Sequence, residues 1–425
     1  MIVAMNIKLR LIVMNFLQFA IWGAYLTSMG RYLGPAGMGA HIGLFYSVQG
    51  IVSLFMPALM GLVADRWVSA QKMLALCHGL AGMGMLAACY YAQTAGDAVQ
   101  FAPLFALYTL SVAFFMPTLA LSNSVAYNAL ERSGLDTVRA FPPIRVFGTV
   151  GFICSMWLVD LAGFQASPMQ FAVSGALGLL LALYALSLPP CAVSVRTGVH
   201  QSWIDTLGLR AFVLFKDRRM AVFFVFSMLL GMSLQITNGF ANPFISSFAA
   251  EPAYADTFGV QHANILISLS QISETLCILL IPFFLRRFGI KRVMLVAMLA
   301  WVLRFGLFGM GNPGPGVWCF VLSMVVYGLA FDFFNISGSL FVDKETDPSI
   351  RSSAQGLFVL MTNGFGATIG TLVAQQVVNR FCQWQSVGGQ DLLLGNWGAV
   401  WYIFAAYALV VAIAFALMFK ERRGA

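Results

Sequence analysis

The sequence predicts an all-α membrane protein of twelve transmembrane helices arranged as two six-helix bundles. Three observations carry that expectation. Hydrophobic residues fill 60% of the 425 positions and charged residues only 9%, where a soluble domain carries about 25% charged residues. The apolar residues fall in runs of the length that a bilayer core about 30 Å thick demands of a helix, about twenty residues. One polar connection, Pro189 to Arg219, leaves six such runs on either side. Strands of a membrane barrel alternate apolar and polar over about ten residues, and these runs are too long and too uniformly apolar for that.

The first run, near 9–30, is too long for a secretory signal, and no A-x-A site follows it. The next five lie near 42–64, 72–93, 101–128, 143–165 and 168–188, with Pro142 and Pro143 marking the start of the fifth. In the middle connection, Trp203, Leu207, Ala211 and Leu214 recur at helical spacing, which fits a short helix on the membrane surface as well as a plain loop. Six more runs follow near 220–248, 262–285, 291–310, 316–341, 354–378 and 397–419. The expected organisation is an N-terminal bundle over 1–188, a cytoplasmic loop over 189–219 and a C-terminal bundle over 220–425.

Charge sets the orientation. With the N-terminus cytoplasmic, only Arg31 and Arg380 of the 24 Lys and Arg fall on the opposite side, while Arg145 and Arg304 lie inside spans. Basic residues collect on the cytoplasmic face of membrane proteins, so both termini are expected there. The net charge of +8 reports that topology and not an affinity for nucleic acid. The seven cysteines have no Cys-x-x-Cys pair and sit mostly in apolar runs, where they act as small hydrophobes. The four histidines fall at or near span ends and form no metal set, so neither a metal nor a cofactor is expected.

Two loops occupy corresponding places in the halves. GLVADRWVSAQKML (61–74) follows the second run and PFFLRRFGIKRVML (282–295) the eighth. The first also spaces Gly61, Asp65 and Arg66 as in the gating-loop motif of the major facilitator superfamily, although Val68 and Ser69 stand where Gly and Arg usually continue it.

Polar residues inside the spans bear on function, because an ionisable group in the bilayer is costly and is kept where it faces a cavity or a partner. Glu274 sits midway along the eighth run, Arg304 midway along the ninth, Asp332 deep in the tenth, and Arg145 a few residues into the fifth. Residues three, four or seven apart share a helix face. That spacing groups Arg145, Thr149 and Phe152; Gln235 and Asn238; Gln271 and Glu274; and Tyr327, Phe331 and Asn335, with Asp332 adjacent. These stripes suit a wet, stacking-capable cavity between the halves. Each has a plainer reading: amides join helices, aromatic rings pack, Arg145 adds one more cytoplasmic charge, and a buried cation such as Arg304 partners a carboxylate.

The stretches MPALMGLVADRWVSA, FPPIRVFGTVGFI, SMLLGMSLQITNGF, SQISETLCILLIPFFL, YGLAFDFFNISGS and SAQGLFVLMTNGFG closely resemble the nucleoside:proton symporter family, bacterial nucleoside permeases within the major facilitator superfamily. The resemblance runs from the first span to the twelfth. It implies proton-driven nucleoside uptake across the inner membrane, with substrate-binding residues at Arg145, Thr149, Phe152, Gln235, Asn238, Gln271, Glu274, Tyr327, Phe331 and Asp332. Proton coupling then falls to Asp332, to Glu274, or to the two as a coupled pair. The expected partners are nucleosides, protons and lipid, with the chain a monomer. A symporter of the same fold for another polar solute, such as a sugar, or a transport-inactive nutrient sensor would carry similar stripes. An enzyme is not expected, for no H-E-x-x-H, G-x-S-x-G or phosphate-binding G-x-x-x-x-G-K-[ST] occurs.

Overall fold

The computed structural model describes residues 2–57, 59, 60, 63, 67–191, 209–347 and 350–419. Helices dominate: α1 (Ile2–Gly23), α2 (Ile42–Ser53), α3 (Ala70–Ala95), α4 (Phe101–Arg132), α5 (Thr137–Leu161), α6 (Met169–Ser187), α7 (Arg218–Ser247), α8 (Ala263–Met310), α9 (Val317–Glu345), α10 (Arg351–Val359), α11 (Ala367–Phe381) and α12 (Trp397–Met418). Among the described residues nine helical stretches are long and apolar enough to cross a membrane, and Ala263–Ile278 is a shorter apolar stretch. Hydrogen-bonded helices are one of only two ways a backbone can satisfy itself in lipid.

Local chemistry explains the ends. The Asp217 carboxylate accepts hydrogen bonds from the Arg219 and Met220 amides at 2.7 and 3.2 Å and starts α7. Asn396 accepts from the Ala399 amide at 3.0 Å and starts α12; such side-chain oxygens satisfy donors that the first turn leaves free. Within α8, Gly289 takes φ 77° and ψ 170°, a conformation open to glycine, and this breaks the stretch between the eighth and ninth expected spans. A π-helical turn, Leu360–Gly366, joins α10 to α11.

Two expectations change, and one left open is narrowed. Thr137 opens α5, so the helix runs through Pro142 and Pro143 instead of beginning at them; prolines persist in membrane helices because neighbouring groups re-satisfy the freed carbonyls. Between α11 and α12 the chain is not wholly helical. Strands β1 (Cys382–Val387) and β2 (Gln390–Gly395) form an antiparallel hairpin with Val387 opposite Gln390. Its two-residue turn is Gly388-Gly389, with φ 59° and 81°, the positive values that a tight hairpin turn requires. In the middle connection Leu209–Lys216 forms a 3₁₀ helix that contains Ala211 and Leu214; Trp203 and Leu207 lie outside the described residues.

The chain gathers into two compact units, Met1–Met38 with Ile51–His200 and Gly39–Gly50 with Gln201–Ala425. In the first unit α1 packs on α5 and α6, and α3 on α4 and α6. In the second, α8 packs on α9 and α12, and α7 on α11 and the π turn. Gly39–Gly50 joins the second unit through Gln375, whose Oε1 accepts from the Gly43 amide at 2.7 Å while its Nε2 donates to the Gly39 carbonyl at 3.3 Å. The Thr368 hydroxyl donates to the Ser47 carbonyl at 3.4 Å.

Candidate functional site

In the first unit the α5 stripe is held by a close approach to α1. A Cβ on Gly151 would fall on the Phe16 carbonyl, and one on Gly23 on the Phe152 carbonyl. Small residues let membrane helices meet backbone to backbone. That approach lays the Arg145 guanidinium over the Phe19 ring, 3.8 Å from its centroid. It also sets the Phe152 ring edge-on to Trp22, at 6.4 Å and 78°. Arg145 and Thr149 are half-buried and Phe152 is buried. Arg145 and Phe152 therefore lie against α1, and Thr149 stands between them at helical spacing.

The first unit also contains a polar line that sequence reasoning passed over. Gln18 donates through Nε2 to the Thr118 hydroxyl at 2.7 Å, and its Oε1 lies 2.7 Å from Nε2 of His78. All three side chains are fully enclosed. His78, expected near a span end, is instead interior to the packing of α1, α3 and α4. The signal lay in the coincidence of Gln18, His78 and Thr118 within three otherwise apolar runs, but spacing along one helix does not join residues of different helices.

In the second unit the amide pair on α7 is joined directly: Asn238 Nδ2 donates to Gln235 Oε1 at 3.0 Å. On α8, Gln271 and Glu274 are half-buried one turn apart, and the buried Gln271 Oε1 has no hydrogen-bond partner among the described residues. On α9 the Tyr327 and Phe331 rings are stacked, 5.7 Å between centroids and 7° from parallel. Asp332 is next in the chain and 5% exposed. Tyr327 lies within electrostatic reach of Glu274, Arg304 and Asp332. Helices α8 and α9 meet closely at Gly328, where a Cβ would lie 2.6 Å from the Ser273 carbonyl oxygen.

Arg304 is 2% exposed. Among the described residues no carboxylate pairs with it; its Nη1 donates to the Ser323 carbonyl at 2.8 Å and the Ser270 hydroxyl at 3.4 Å. The expectation of a carboxylate partner gives way to aromatic and carbonyl ones. A second buried cluster, also unforeseen, ties α7 to α8: Asn242 Nδ2 donates to Asn264 Oδ1 at 2.8 Å, and the Ser246 hydroxyl to Asn242 Oδ1 at 3.0 Å.

Elsewhere in this unit, Phe244, Phe248, Phe308 and Trp397 with Glu251 and Asn396 line a cavity of about 420 Å³; none of the ten predicted substrate-binding residues borders it. Gly61, Asp65 and Arg66 of the gating-loop motif lie outside the described residues. Among the described residues no cluster of three His, Cys, Asp or Glu side chains is placed to hold a metal ion.

Comparison with known proteins adds to this geometry. A family model described as nucleoside H+ symporter matches residues 5–424. The chain is 49% identical over 421 residues to the nucleoside permease NupG of Escherichia coli (strain K12), covering 98% of this chain and 97% of that protein. It is 48% identical to the xanthosine permease of the same organism, covering 98% and 96%. A crystal structure of the nucleoside transporter NupG superposes with a TM-score of 0.87 over 98% of this chain and 100% of the other, at 48% identity.

Proposed function

The chain belongs to the nucleoside H+ symporter family, and from that premise we propose that it takes up nucleosides across the bacterial inner membrane, driven by protons and working by alternating access. It is a transporter, not an enzyme. The observation that carries the reading is the family match over residues 5–424, and the chemistry of each unit supports it. A nucleoside presents a flat base and a hydroxylated ribose. Aromatic faces hold bases by stacking, worth about 1–3 kcal/mol each, which suits Phe152 and Phe331, with Tyr327 behind Phe331 in the stack. Amides donate and accept at once, so Gln235, Asn238 and Gln271 serve ribose hydroxyls and base edges. Arg145 and Thr149 add donors.

Asp332 and Glu274 are the carboxyls assigned to the coupled proton. Protonation removes their charge, which favours neutral substrate and permits the change of access; Asp332, the more buried of the two, is the first choice. The proposal extends to twelve spans in two six-helix bundles over 1–188 and 220–425, a cytoplasmic loop over 189–219, both termini cytoplasmic, a monomeric chain, and a gating role for Gly61, Asp65 and Arg66. No cofactor beyond the proton is invoked.

The test is uptake of radiolabelled uridine and adenosine by proteoliposomes with and without an imposed pH gradient, alongside a competition panel of nucleosides, free bases and sugars. Accumulation that follows the gradient and yields only to nucleosides is expected. Competition by a sugar would replace the substrate, and absence of uptake would leave a sensor.

A further inference from the structure

Arg304 has no part in the binding set above, yet it is among the largest fully enclosed side chains of the protein. Three aromatic rings surround its guanidinium. Cζ lies 4.6 Å from the centroid of Tyr327, 5.4 Å from that of Phe308 and 5.9 Å from that of Trp301. Cations over ring faces at such distances are attracted by the ring quadrupole, most strongly away from water. The hydrogen bonds point the same way. Nη1 donates to the Ser323 carbonyl, and the Ser323 hydroxyl returns a bond to the Arg304 carbonyl at 2.9 Å. Ser323 stands one turn before Tyr327, so both contacts fix the same segment of α9. The buried Nε has no hydrogen-bond partner among the described residues. The side chain is thus placed by the ring and the carbonyl at the expense of its full set of donors.

Tyr327 is gripped from two directions. Trp301 meets it edge-on at 6.0 Å and 89°, and Phe331 lies parallel to it. Phe331 is half-buried whereas Tyr327 and Arg304 are buried. The order is a fixed cation, a buried ring and an accessible ring, with Asp332 following directly in the chain.

We propose that Arg304 is a positioning residue which, through the Tyr327 ring, sets the aromatic platform presented by Phe331 to the nucleoside base. The proposal rests on the reading that Phe331 binds substrate. A flat guanidinium suits the task because it stacks on a ring and donates in its own plane together, which a lysine ammonium does not.

The experiment is a double-mutant cycle of Arg304→Met and Phe331→Ala, with uridine as probe, measuring KM and turnover of uptake in proteoliposomes and Tm of the purified full chain. Arg304→Met is expected to raise KM about tenfold with turnover within about twofold and Tm nearly kept, a split that loss of packing alone would not give. In the Phe331→Ala background the same change is expected to add nothing, because coupled residues are non-additive. An effect on KM from Phe331→Ala with none from Arg304→Met overturns the positioning role and leaves the site reading intact, as does full additivity. No effect from Phe331→Ala removes the site reading and this proposal with it. If Arg304→Met does not fold, Arg304→Lys, which keeps the charge but not the flat fork, is expected to raise KM about threefold; a wild-type KM in that variant overturns the role as well.

Discussion

The Tyr327 and Phe331 rings stack within 7° of parallel, and of the two only Phe331 keeps a partly open face. Spacing along the tenth run put them on one side of a helix, and the structure adds that they touch. Phe331→Ala is therefore expected to weaken uridine binding by about tenfold or more, the worth of a stacked base, with expression and Tm close to wild type. Equilibrium binding to the purified protein checks it, and unchanged affinity would return Phe331 to a packing role.

Asp332→Asn keeps the shape of the side chain and removes its titration. Proton-driven accumulation of uridine is expected to fall to the level reached without a gradient, while exchange of uridine across the membrane continues. Glu274→Gln in the same proteoliposome assay separates the carboxyls: loss of coupling in only one variant names the carrier, and loss in both marks a coupled pair.

The backbone contact between α1 and α5 gives a stability prediction with its own control. Gly151→Ala drives a methyl group into the Phe16 carbonyl and is expected to cost about 1–3 kcal/mol, as overpacking does. Gly306→Ala meets nothing within 4 Å and is expected to be neutral or to gain up to about 1 kcal/mol from helix propensity. Thermal unfolding in detergent checks both; equal shifts in Tm would refute the contact.

Cys382, at the start of β1, is buried, and burial pushes its thiol up to about 12. Only the thiolate reacts with maleimides. Labelling of Cys382 in the folded protein is expected to be negligible at pH 7, to rise about tenfold per pH unit on the alkaline side, and to become ordinary after denaturation. Peptide mass spectrometry after timed labelling reads it directly.

Much of this molecule is written in residue periodicity. The apolar runs announce membrane helices because lipid leaves the backbone few options, and the stripes on α5, α7, α8 and α9 follow from helical spacing alone. Other features required knowledge of which helices meet. Gln18, His78 and Thr118 come from three separate helices, and nothing within any one of them points to the others. Arg304 stands out in the sequence as a misplaced charge with Trp301 and Phe308 beside it at helical spacing on α8, but the Tyr327 ring and the Ser323 carbonyl depend on how α8 packs against α9. The Gly-Gly pair between CQWQSV and QDLLLG is a recognisable hairpin signal, overshadowed by the apolar runs on either side. Two prolines usually open a helix, whereas α5 is already helical from Thr137, five residues before the first of them.

The Tyr327 ring and Ser323 carbonyl that hold Arg304 also bear on biogenesis. The segment bearing Arg304 enters the bilayer ahead of the one bearing Ser323, 19 residues further along. An arginine at the centre of an inserting helix costs about 2.5–3.5 kcal/mol. Until the next helix arrives, nothing from α9 offsets that cost. The helix bearing Arg304 is therefore expected to insert stably only together with α9, and a chain cut short before Val317 is expected to insert that helix less efficiently than the full chain.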